Sequence, residues 1–525
     1  MNNWQSKLVS LSETNELVYH KDKDGFVIPD FSYAGYCNAN KGIPDVPIVL
    51  EIEPKQGDNT KYIQEHIDYL GTLPIKEDGF RGALLLKEGI FEVYGTIYIN
   101  DDGILLCGKG SEEDSSKNTI ILAKGNSPDK RDVIVMGNPE CIKWTDKEEQ
   151  KQHVTTPKIN VGDVTFEIEN ADSYEVGDQI MIYHPCSQGW VEAVKYGGVL
   201  APKKGEKDNR WTEGLLPIIY NRYITKIRNN EITIDAPVYY TLDNSLSQSY
   251  VYKPDMSGTI YNVGLENIRI DIEISGNKYD ENHAWQSIRV QSAENGWVRN
   301  CVMFHFGQSG IITNYVSRFT IENCKAIDPI GKIEGERGYN FNAYIYSQLI
   351  LFKDCYARNG RHHYVSNGTT LTSGIVFLRC VSDVAYNANE GHRKWTTGML
   401  YDNLKEINIR PVTGWRKYVY HSQFVLGLYN RRNYGTGHGW SAAHSVCWNC
   451  NMDKHYGKIV IQKPPTAQNY AIGCSAKDIT GMYKITSNYA PGHIEGKNKN
   501  GLIPESLYEA QLNSRIKNIN QGTFK

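Results

Sequence analysis

The sequence has no apolar run long enough to cross a bilayer as a helix, which takes about 20 residues. Residues 1–25 also lack the short hydrophobic core of a secretory signal peptide. We therefore predict no membrane span. Either the protein is cytoplasmic or a leader has been removed, and both interpretations stay open at this point.

Strong net charge and metal motifs are missing as well. The formal net charge is −3 over 525 residues, so no global positive field predicts a nucleic-acid partner. There is no HExxH, and Cys447 and Cys450 form a lone CxxC, whereas a structural zinc site usually needs a second pair. The eleven cysteines are odd in number and cannot all pair within one chain. We predict reduced, buried cysteines and no bound metal.

The cysteines mark a repeat. Short apolar segments, most of them alternating with polar residues as strands do, end at Cys301, Cys324, Cys355, Cys380, Cys450 and Cys474. The sequence numbers of successive members of this series differ by 23, 31, 25, 70 and 24. Because 70 is about three times 23, we expect two more rungs without cysteine, one ending at Asn403 and one near 423–428. This period predicts an all-β fold, a right-handed parallel β-helix whose cysteines stack in an internal ladder.

Other segments predict modules around the solenoid. An amphipathic helix at 57–70 has Ile63, Ile67 and Leu70 on one face. We divide the chain into five parts: an N-terminal extended segment at 1–56, a capping helix and the first coils at 57–154, an inserted small β-domain at 155–245 on the flank of the early coils, the main β-helix at 246–490, and a C-terminal helix at 491–525.

The order "GDNT…IQ…ID", then "GALLLKEGIFEV…TIYI…GILLCGKG", resembles the pectate-lyase-like superfamily of single-stranded right-handed β-helices. "DFSYAGY" (30–36) and "IPDVP" (43–47) are similar to the N-terminal segment of a mostly bacterial, carbohydrate-active group within it. The resemblance covers about 57–125 and 255–480. It implies the fold and a helix over the open end of the solenoid. It implies no substrate, because the superfamily includes lyases, hydrolases and adhesive tailspikes.

Four segments share a phase relative to the rungs. The sequence numbers of Tyr339 and Cys355 differ by 16, and those of His363 and Cys380 differ by 17. The difference is 11 between His392 and Asn403, and 12 between His438 and Cys450. Because residues at equal offsets stand side by side on a solenoid, we predict one composite site from 337–342, 361–367, 391–395 and 435–440. If His362 and His363 are on a strand they point to opposite faces, so at most one of them faces the site.

The composition of this region favours an anionic ligand. Residues 361–440 contain ten Lys or Arg against four Asp or Glu, together with five histidines. Such a groove suits β-elimination of a uronate polysaccharide, which needs a base for the C5 proton, a cation on the carboxylate and an acid for O4. We predict His392 as the base, Arg393 or Lys394 as the cation, Tyr339 as the acid, and His363 or His438 as an assisting group. The predicted substrate-binding residues are Arg361, Asn340, Tyr364, Trp395, Arg431, Arg432 and Trp440.

Lyases of the superfamily use Arg or Lys beside Ca²⁺, or His and Tyr without it. No carboxylate cluster here resembles their Ca²⁺ sites, so we favour no cofactor and keep Ca²⁺ as an alternative. A polysaccharide substrate implies a secreted, periplasmic or cell-surface protein, and we expect a monomer.

Two other functions stay open. A glycoside hydrolase needs two carboxylates about 5–10 Å apart. Glu390 and Asp402 are the candidates, with Glu334, Glu336 and Asp328 one or two coils away. A non-catalytic carbohydrate-binding solenoid would need aromatic residues but no histidine chemistry.

Overall fold

The computed structural model describes residues 3–138, 140–141, 144, 150–408, 424–452, 457–483 and 488–520. Thirty strands form one sheet that winds through successive parallel coils. The fold is an all-β, right-handed parallel β-helix with an N-terminal capping helix and an inserted antiparallel sheet, which confirms the predicted fold class. No helix in the described part of the chain is both long and apolar enough to span a membrane.

Most coils contribute three short strands, so the solenoid has three faces. Two strands, Gln286–Arg299 and Ser309–Glu322, run through the first and second faces, and Gly264–Ile272 runs through the second and third. The other strands of the first face are Ile97–Ile99, Asp132–Met136, Tyr339–Ala343, His362–Ser366, Asn389–Gly391, Phe424–Leu428, Lys458–Ile461 and Asp478–Thr480.

The second face contains Ile48–Ile52, Gly82–Leu86, Ile104–Gly110, Gln348–Lys353, Ser373–Leu378, Thr396–Asp402, Ser445–Trp448, Asn469–Ile472 and His493–Glu495. The third face contains Gly89–Val93, Thr119–Ala123, Val302–Phe304, Lys325–Ile327, Tyr356–Arg358, Val381–Asp383, Lys405–Ile407 and Asn451–Met452.

The corner between the second and third faces explains the cysteine repeat. The residue before each ladder position has a φ between 50° and 67°, as at Asn300, Asn323, Asp354 and Gly473. This left-handed region costs most residues about 1–2 kcal/mol and is tolerated by Gly, Asn and Asp. The cysteines that follow are free and buried. Small thiols therefore fill the inside of a sharp, repeated turn.

One coil, not two, separates Cys380 from Cys450, so the prediction of two rungs without cysteine is wrong. Strand Thr396–Asp402 pairs directly with Ser445–Trp448. Asn403 has the left-handed φ of 56°, and Leu404 takes the ladder position between the two cysteines. The segment expected as the second rung, Phe424–Leu428, belongs to the first face. The long spacing therefore belongs to the single coil between Leu404 and Cys450, of which residues 409–423 lie outside the described residues.

The helix Thr60–Thr72 caps the first coils. Ile63, Ile67 and Leu70 are buried on its inner side and join the core of the solenoid. The helix contacts Gly82–Leu86, Ile97–Ile99 and Ile104–Gly110. The helix therefore covers the apolar core at the N-terminal end of the solenoid, where no further coil stacks on it.

The inserted segment forms a six-stranded antiparallel sheet and two short helices. Its strand order is Gln152–His153, Tyr250–Tyr252, Gln179–His184, Ile218–Arg228, Glu231–Ile234 and Thr165–Glu167. A two-stranded pair, Lys158–Ile159 with Leu242–Asp243, lies beside it, and its helices are Gln188–Ala193 and the 3-10 turn Lys195–Gly198.

The insertion packs against the middle and late coils, not the early coils as we predicted. Trp190 and Tyr239 share an apolar cluster with Leu351, Leu400 and Trp448 on the outer side of the second face. An apolar surface of this kind is unfavourable in water and must be covered. The insertion supplies the cover.

The terminal segments cover the same side. Strands Val9–Leu11 and Leu17–Tyr19 form a hairpin, and Trp4–Gln5 pairs with Leu502–Ile503. The C-terminal helix Leu507–Asn520 begins after Ser506, whose hydroxyl accepts from the Glu509 amide at 3.1 Å. The remaining elements are strand Ile260–Tyr261, strand Ala442–Ala443, the short turns Tyr36–Ala39 and Thr369–Leu371, and the irregular helical turn Tyr434–Gly437.

Asn323→Val tests the left-handed corner. Valine tolerates a φ of 50° poorly, whereas Asn323→Gly loses the same side-chain hydrogen bond to Asn300 without that strain. After allowing for the flexibility of unfolded glycine, we expect the valine variant to be less stable than the glycine variant by about 1 kcal/mol. Urea unfolding measures the difference, and equal stabilities would show that the backbone angle does not constrain this position.

His444→Phe tests the acid sensitivity of the core. Burial lowers the pKa of His444 to about 3, and neither ring nitrogen has a hydrogen-bond partner among the described residues. In the unfolded chain the imidazole binds a proton below about pH 6.5, whereas in the folded protein it stays neutral. The unfolding free energy therefore falls by about 1.4 kcal/mol for each pH unit below about pH 6.5. Phenylalanine should remove this dependence between pH 6 and 4. Parallel pH profiles of unfolding free energy for the two proteins would contradict the expectation.

Candidate active site

Three coils bring two histidines and a tyrosine together on the first face. Tyr339 and His362 are in register on neighbouring strands. His392 follows strand Asn389–Gly391, and its amide donates to Ser366 O on the coil before at 2.7 Å. The ring centroids of His362 and His392 are 4.8 Å apart, and each lies 5.3 Å from that of Tyr339. All three side chains are buried or nearly so.

Glu390 lies at the base of this cluster and is fully buried. Its Oε1 is 3.0 Å from Arg431 Nη1 and 3.0 Å from His392 Nδ1, and its Oε2 accepts from the Tyr429 hydroxyl at 2.9 Å. Burial raises the pKa of Glu390, and Arg431 acts in the opposite direction. Burial also opposes the charge of Arg431, but the attraction of Glu390 leaves its pKa raised. The two groups are therefore a buried ion pair held by hydrogen bonds.

Burial keeps the imidazoles neutral. It lowers the pKa of His362 and His392 well below the usual range and that of His438 to about 2, and the positive charge of Arg431 adds to the effect at all three. A neutral imidazole has one nitrogen free to accept a proton. His392 Nε2 is 3.3 Å from Tyr339 Oη, and Arg361 Nη1 donates to the same hydroxyl at 3.0 Å.

The tautomer of His392 sets the direction of these bonds. With its proton on Nδ1, His392 donates to Glu390, and Nε2 is free to accept the phenolic proton of Tyr339. With its proton on Nε2, the ring donates to Tyr339, and Nδ1 accepts from Arg431 Nη1 at 2.9 Å. The carboxylate favours the first arrangement, in which His392 Nε2 accepts a hydrogen bond from the Tyr339 hydroxyl.

Half-buried cations border the cluster. Arg393 Nη2 donates to the Tyr344 hydroxyl at 2.7 Å, and the Lys394 amide donates to His438 O at 3.1 Å. Burial lowers the pKa of Lys394. The ring of His438 lies 5.2 Å from that of His392. Of the residues predicted from sequence, the structure thus brings together Tyr339, Arg361, His392, Arg393, Lys394, Arg431 and His438.

Three predicted residues lie inside the solenoid instead. The Tyr364 hydroxyl lies within hydrogen-bond distance of Cys355 O and Val381 O, and its side chain belongs to the core. His363 Nδ1 is 2.6 Å from the Ser382 hydroxyl, and Asn340 donates to Ala326 O. Both are fully buried. The prediction that Tyr364 contacts a sugar is wrong, because its ring fills the core.

Trp395 and Trp440 lie beneath the inserted domain. The Trp395 ring packs edge-on against Trp190, Trp211 and Tyr240, and it has no exposed surface. Trp440 packs against Tyr489. Neither ring is available as a stacking platform, so that prediction is also wrong. Arg432 reaches away to Asn488 Oδ1 at 2.6 Å. The basic residues Arg410, Arg416, Lys417 and His421 lie outside the described residues.

The sequence analysis did not predict three members of the cluster as parts of it. Tyr429 was not singled out, His362 was only the alternative to His363, and Glu390 was considered only as a hydrolase carboxylate. A count from strand Asn389–Gly391 to Phe424–Leu428 would have found Tyr429, but the long intervening coil hides the register. The alternation of side chains permits either histidine of the pair, and only packing selects one.

His362, Glu390 and His392 are the one group of described residues whose ligand atoms lie close enough, within 4.8 Å, to suggest a metal. Ca²⁺ requires six to eight oxygen ligands, and this group offers two imidazoles and one carboxylate. The Arg431 guanidinium also lies 3.0 Å from the carboxylate oxygen that a cation would need. The group therefore does not fit Ca²⁺.

No family model and no curated protein matches the chain. Among solved structures, the tailspike gp61 of Pseudomonas phage phi297 is similar with a TM-score of 0.35 and 10% identity, over 85% of this chain and 75% of that one. The Streptococcus pneumoniae surface protein and adhesin PfbA gives 0.41 and 9%, over 82% and 84%. The tailspike of E. coli bacteriophage HK620, in complex with pentasaccharide, gives 0.41 and 9%, over 94% and 70%. Membership of the pectate-lyase-like superfamily stays a prediction.

Glu390→Gln tests the buried ion pair. The substitution leaves the Arg431 charge buried without its counter-charge, so we expect a loss of about 3–5 kcal/mol in unfolding free energy. Asp328→Asn is the matched control, because Asp328 pairs with Arg358 at 2.6 Å where both side chains are about a third exposed. The control should lose about 1 kcal/mol or less. Similar small losses in both variants, measured by urea unfolding, would contradict a buried ion pair at Glu390.

Proposed function

We propose that the protein is a lyase that cleaves a uronate-containing polysaccharide by β-elimination, with Tyr339 and His392 moving the proton. The observation that carries the proposal is the 3.3 Å contact between Tyr339 Oη and His392 Nε2, with Arg361 on the same hydroxyl at 3.0 Å. A neutral base beside a phenol, and a cation that stabilises the phenolate, are the parts that proton abstraction needs.

The proposed reaction is balanced without water or an oxidant. The phenolic proton of Tyr339 passes to His392 Nε2, and the phenolate takes the C5 proton of the uronate. The electrons of the C5–H bond form the C4–C5 double bond as the C4–O4 bond breaks. Tyr339 then gives its proton to O4 of the leaving sugar, and His392 returns a proton to Tyr339. The sequence suggested His392 as the base at C5, whereas these contacts favour Tyr339 as the group that meets the sugar.

The surrounding charges support these roles. Glu390 orients the His392 ring through Nδ1, which leaves Nε2 facing the Tyr339 hydroxyl. Arg393 and Lys394 are half-buried cations at the border of the cluster, suited to neutralise the uronate carboxylate. Neutralising that carboxylate makes the C5 proton more acidic, which lowers the barrier to its removal.

A glycoside hydrolase has less support. Asp402, the expected partner of Glu390, accepts from Ser506 Oγ and the Tyr508 amide, both at 2.8 Å, at the start of the C-terminal helix. Asp328 is occupied by Arg358, and Glu334 lies 3.9 Å from Arg337. Glu336 reaches the cluster through its amide, which donates to the Tyr339 hydroxyl at 3.4 Å. Among the described carboxylates, Glu390 is the one whose side chain contacts His392 and Arg431, whereas glycoside hydrolysis needs two.

The proposed substrate also implies where the protein acts. A polysaccharide of this kind lies outside cells, so we propose that the protein acts as a secreted, periplasmic or surface protein. The expectation of a monomer stays a prediction.

A panel of uronate polysaccharides tests the proposal. Ultraviolet absorbance of unsaturated ends and reducing sugar are followed together. A rise in both supports the lyase. Reducing ends without absorbance would replace it with hydrolysis, and neither signal with binding retained would replace it with a binding protein.

Tyr339→Phe tests the role of the phenol. Because it removes the transferred proton, we expect kcat to fall by about 10²-fold or more, with the fold retained. Tyr470→Phe is the control, since its hydroxyl donates to Asp22 at 3.4 Å on the outer side of the second face, and it should keep most of the activity. A Tyr339→Phe protein with nearly full kcat would rule out the proposed proton path.

A further inference from the structure

A cavity of about 300 Å³ opens next to the Tyr339 cluster. Arg361 borders both, because it lines the cavity and donates to the Tyr339 hydroxyl. Gly338, the residue before Tyr339, also lines the cavity. A ligand in this cavity therefore lies beside the group that we propose to be reactive.

The floor of the cavity is the backbone of successive coils. The Gly338 amide donates to Gly307 O at 3.0 Å, and the Arg361 amide donates to Gly338 O at 2.7 Å. A Cβ at Gly307 would lie 2.1 Å from the Trp285 ring, and one at Gly338 would lie 2.9 Å from the Arg361 amide. Glycine is needed at both positions because neighbouring side chains and coils approach closely where the chain turns from the third face to the first.

The loop 328–338 forms the wall of the cavity. It also explains the long spacing between Cys324 and Cys355. The sequence numbers of Cys324 and Cys355 differ by 31, against 23 for the step before, and this loop lies between them. Glu281 fixes the loop: Arg337 Nη2 donates to it at 3.0 Å and the Lys332 amide at 3.3 Å. The Arg337 hydrogen bond lowers the pKa of Glu281 to about 2. The wall is therefore formed before any ligand binds.

The charges in the cavity favour an anion. Lys278, Lys332 and Arg361 all line it. Within the described part of the chain, none of the three lies within salt-bridge distance of a carboxylate. The one acid in the lining, Asp328, is paired with Arg358 and accepts from Asn359. The lining cations are thus available to a ligand, and the lining carboxylate is neutralised.

Two tyrosines give the cavity a second kind of contact. Tyr279 is 49% exposed, and Tyr386, whose amide donates to Gly360 O at 2.9 Å, also lines the cavity. An exposed phenol ring offers a flat apolar face together with a polar edge, as sugar rings require. Cations and phenol rings together match a sugar that carries a negative charge.

We infer that this cavity is a subsite for an anionic sugar ring, the neighbour of the ring that is cleaved, held by Lys278, Lys332 and Arg361. The inference rests on the proposed function for the position of the cleaved ring, but binding in the cavity does not require that chemistry. The negative group is a carboxylate or a sulfate, since both accept charge-assisted hydrogen bonds from Lys and Arg.

The test removes the two exposed cations and measures binding apart from turnover. Lys278→Gln/Lys332→Gln is made in the full chain with Tyr339→Phe, so that oligosaccharides are not consumed. Calorimetry follows a uronate tetrasaccharide, a sulfated neutral tetrasaccharide and a carboxyl-reduced tetrasaccharide. Losing two exposed charge contacts should weaken binding of an anionic ligand about tenfold. Lys405→Gln, an exposed lysine on the third face outside the cavity lining, is the matched control.

The outcomes separate the subsite from the lyase. Weaker binding of the uronate or the sulfated sugar in the double variant, with the control unchanged, supports the subsite and identifies the anion. Equal binding by the double variant and the control overturns it, even if the wild-type protein is a lyase. The wild-type protein could produce no unsaturated ends while the double variant still binds the anionic tetrasaccharide more weakly than the control. In that case the subsite stands and the proposed reaction fails.

Discussion

The backbone hydrogen bonds between successive coils fix the rest of the structure. They hold neighbouring strands about 4.8 Å apart and in parallel register, so each residue stands beside its counterpart on the next coil. This register places Tyr339 beside His362 and stacks the cysteines at one corner. A cluster on such a scaffold needs only one or two residues per coil, such as Glu390 with His392, because the register supplies the alignment.

Two groups of charged side chains are buried, one around Arg318 and one around Glu390, and they differ in how fully they are hydrogen-bonded. Arg318 bonds Asp235 at 2.6 Å and Glu294 at 3.1 Å, which fastens the inserted domain to the solenoid. Around Glu390, by contrast, buried polar atoms stay without partners among the described residues: His362 Nε2, Arg431 Nε and His438 Nδ1. Unsatisfied buried groups are costly and rare in native proteins. A polar ligand at the proposed site would supply partners for these three atoms.

The sequence predicts the fold well because its signals are local, whereas it predicts the site only as a neighbourhood. A polar residue before each cysteine reflects the left-handed turn. Offsets from the rungs bring Tyr339, His392 and His438 into one neighbourhood, and their rings do lie close together. The same offsets also include His363, which lies inside the solenoid. They carry no information on side-chain direction, so Trp395 and Tyr364 were assigned to a groove although both rings are buried. The strands of the second face are continuously apolar because the core lies on one side and the insertion on the other. Such a run contains no period that identifies the segment covering its outer side.

The variation in coil length is itself informative. The corner between the second and third faces keeps one left-handed residue and one ladder residue in coil after coil. The corner between the third and first faces varies: it is short after Val302–Phe304 and long at 273–285 and at 328–338. Because loop length can change there without disturbing the stacked strands, that corner can gain a cavity wall at little cost in stability. The constant corner maintains the fold, and the variable corner surrounds Tyr339 and the cavity beside it.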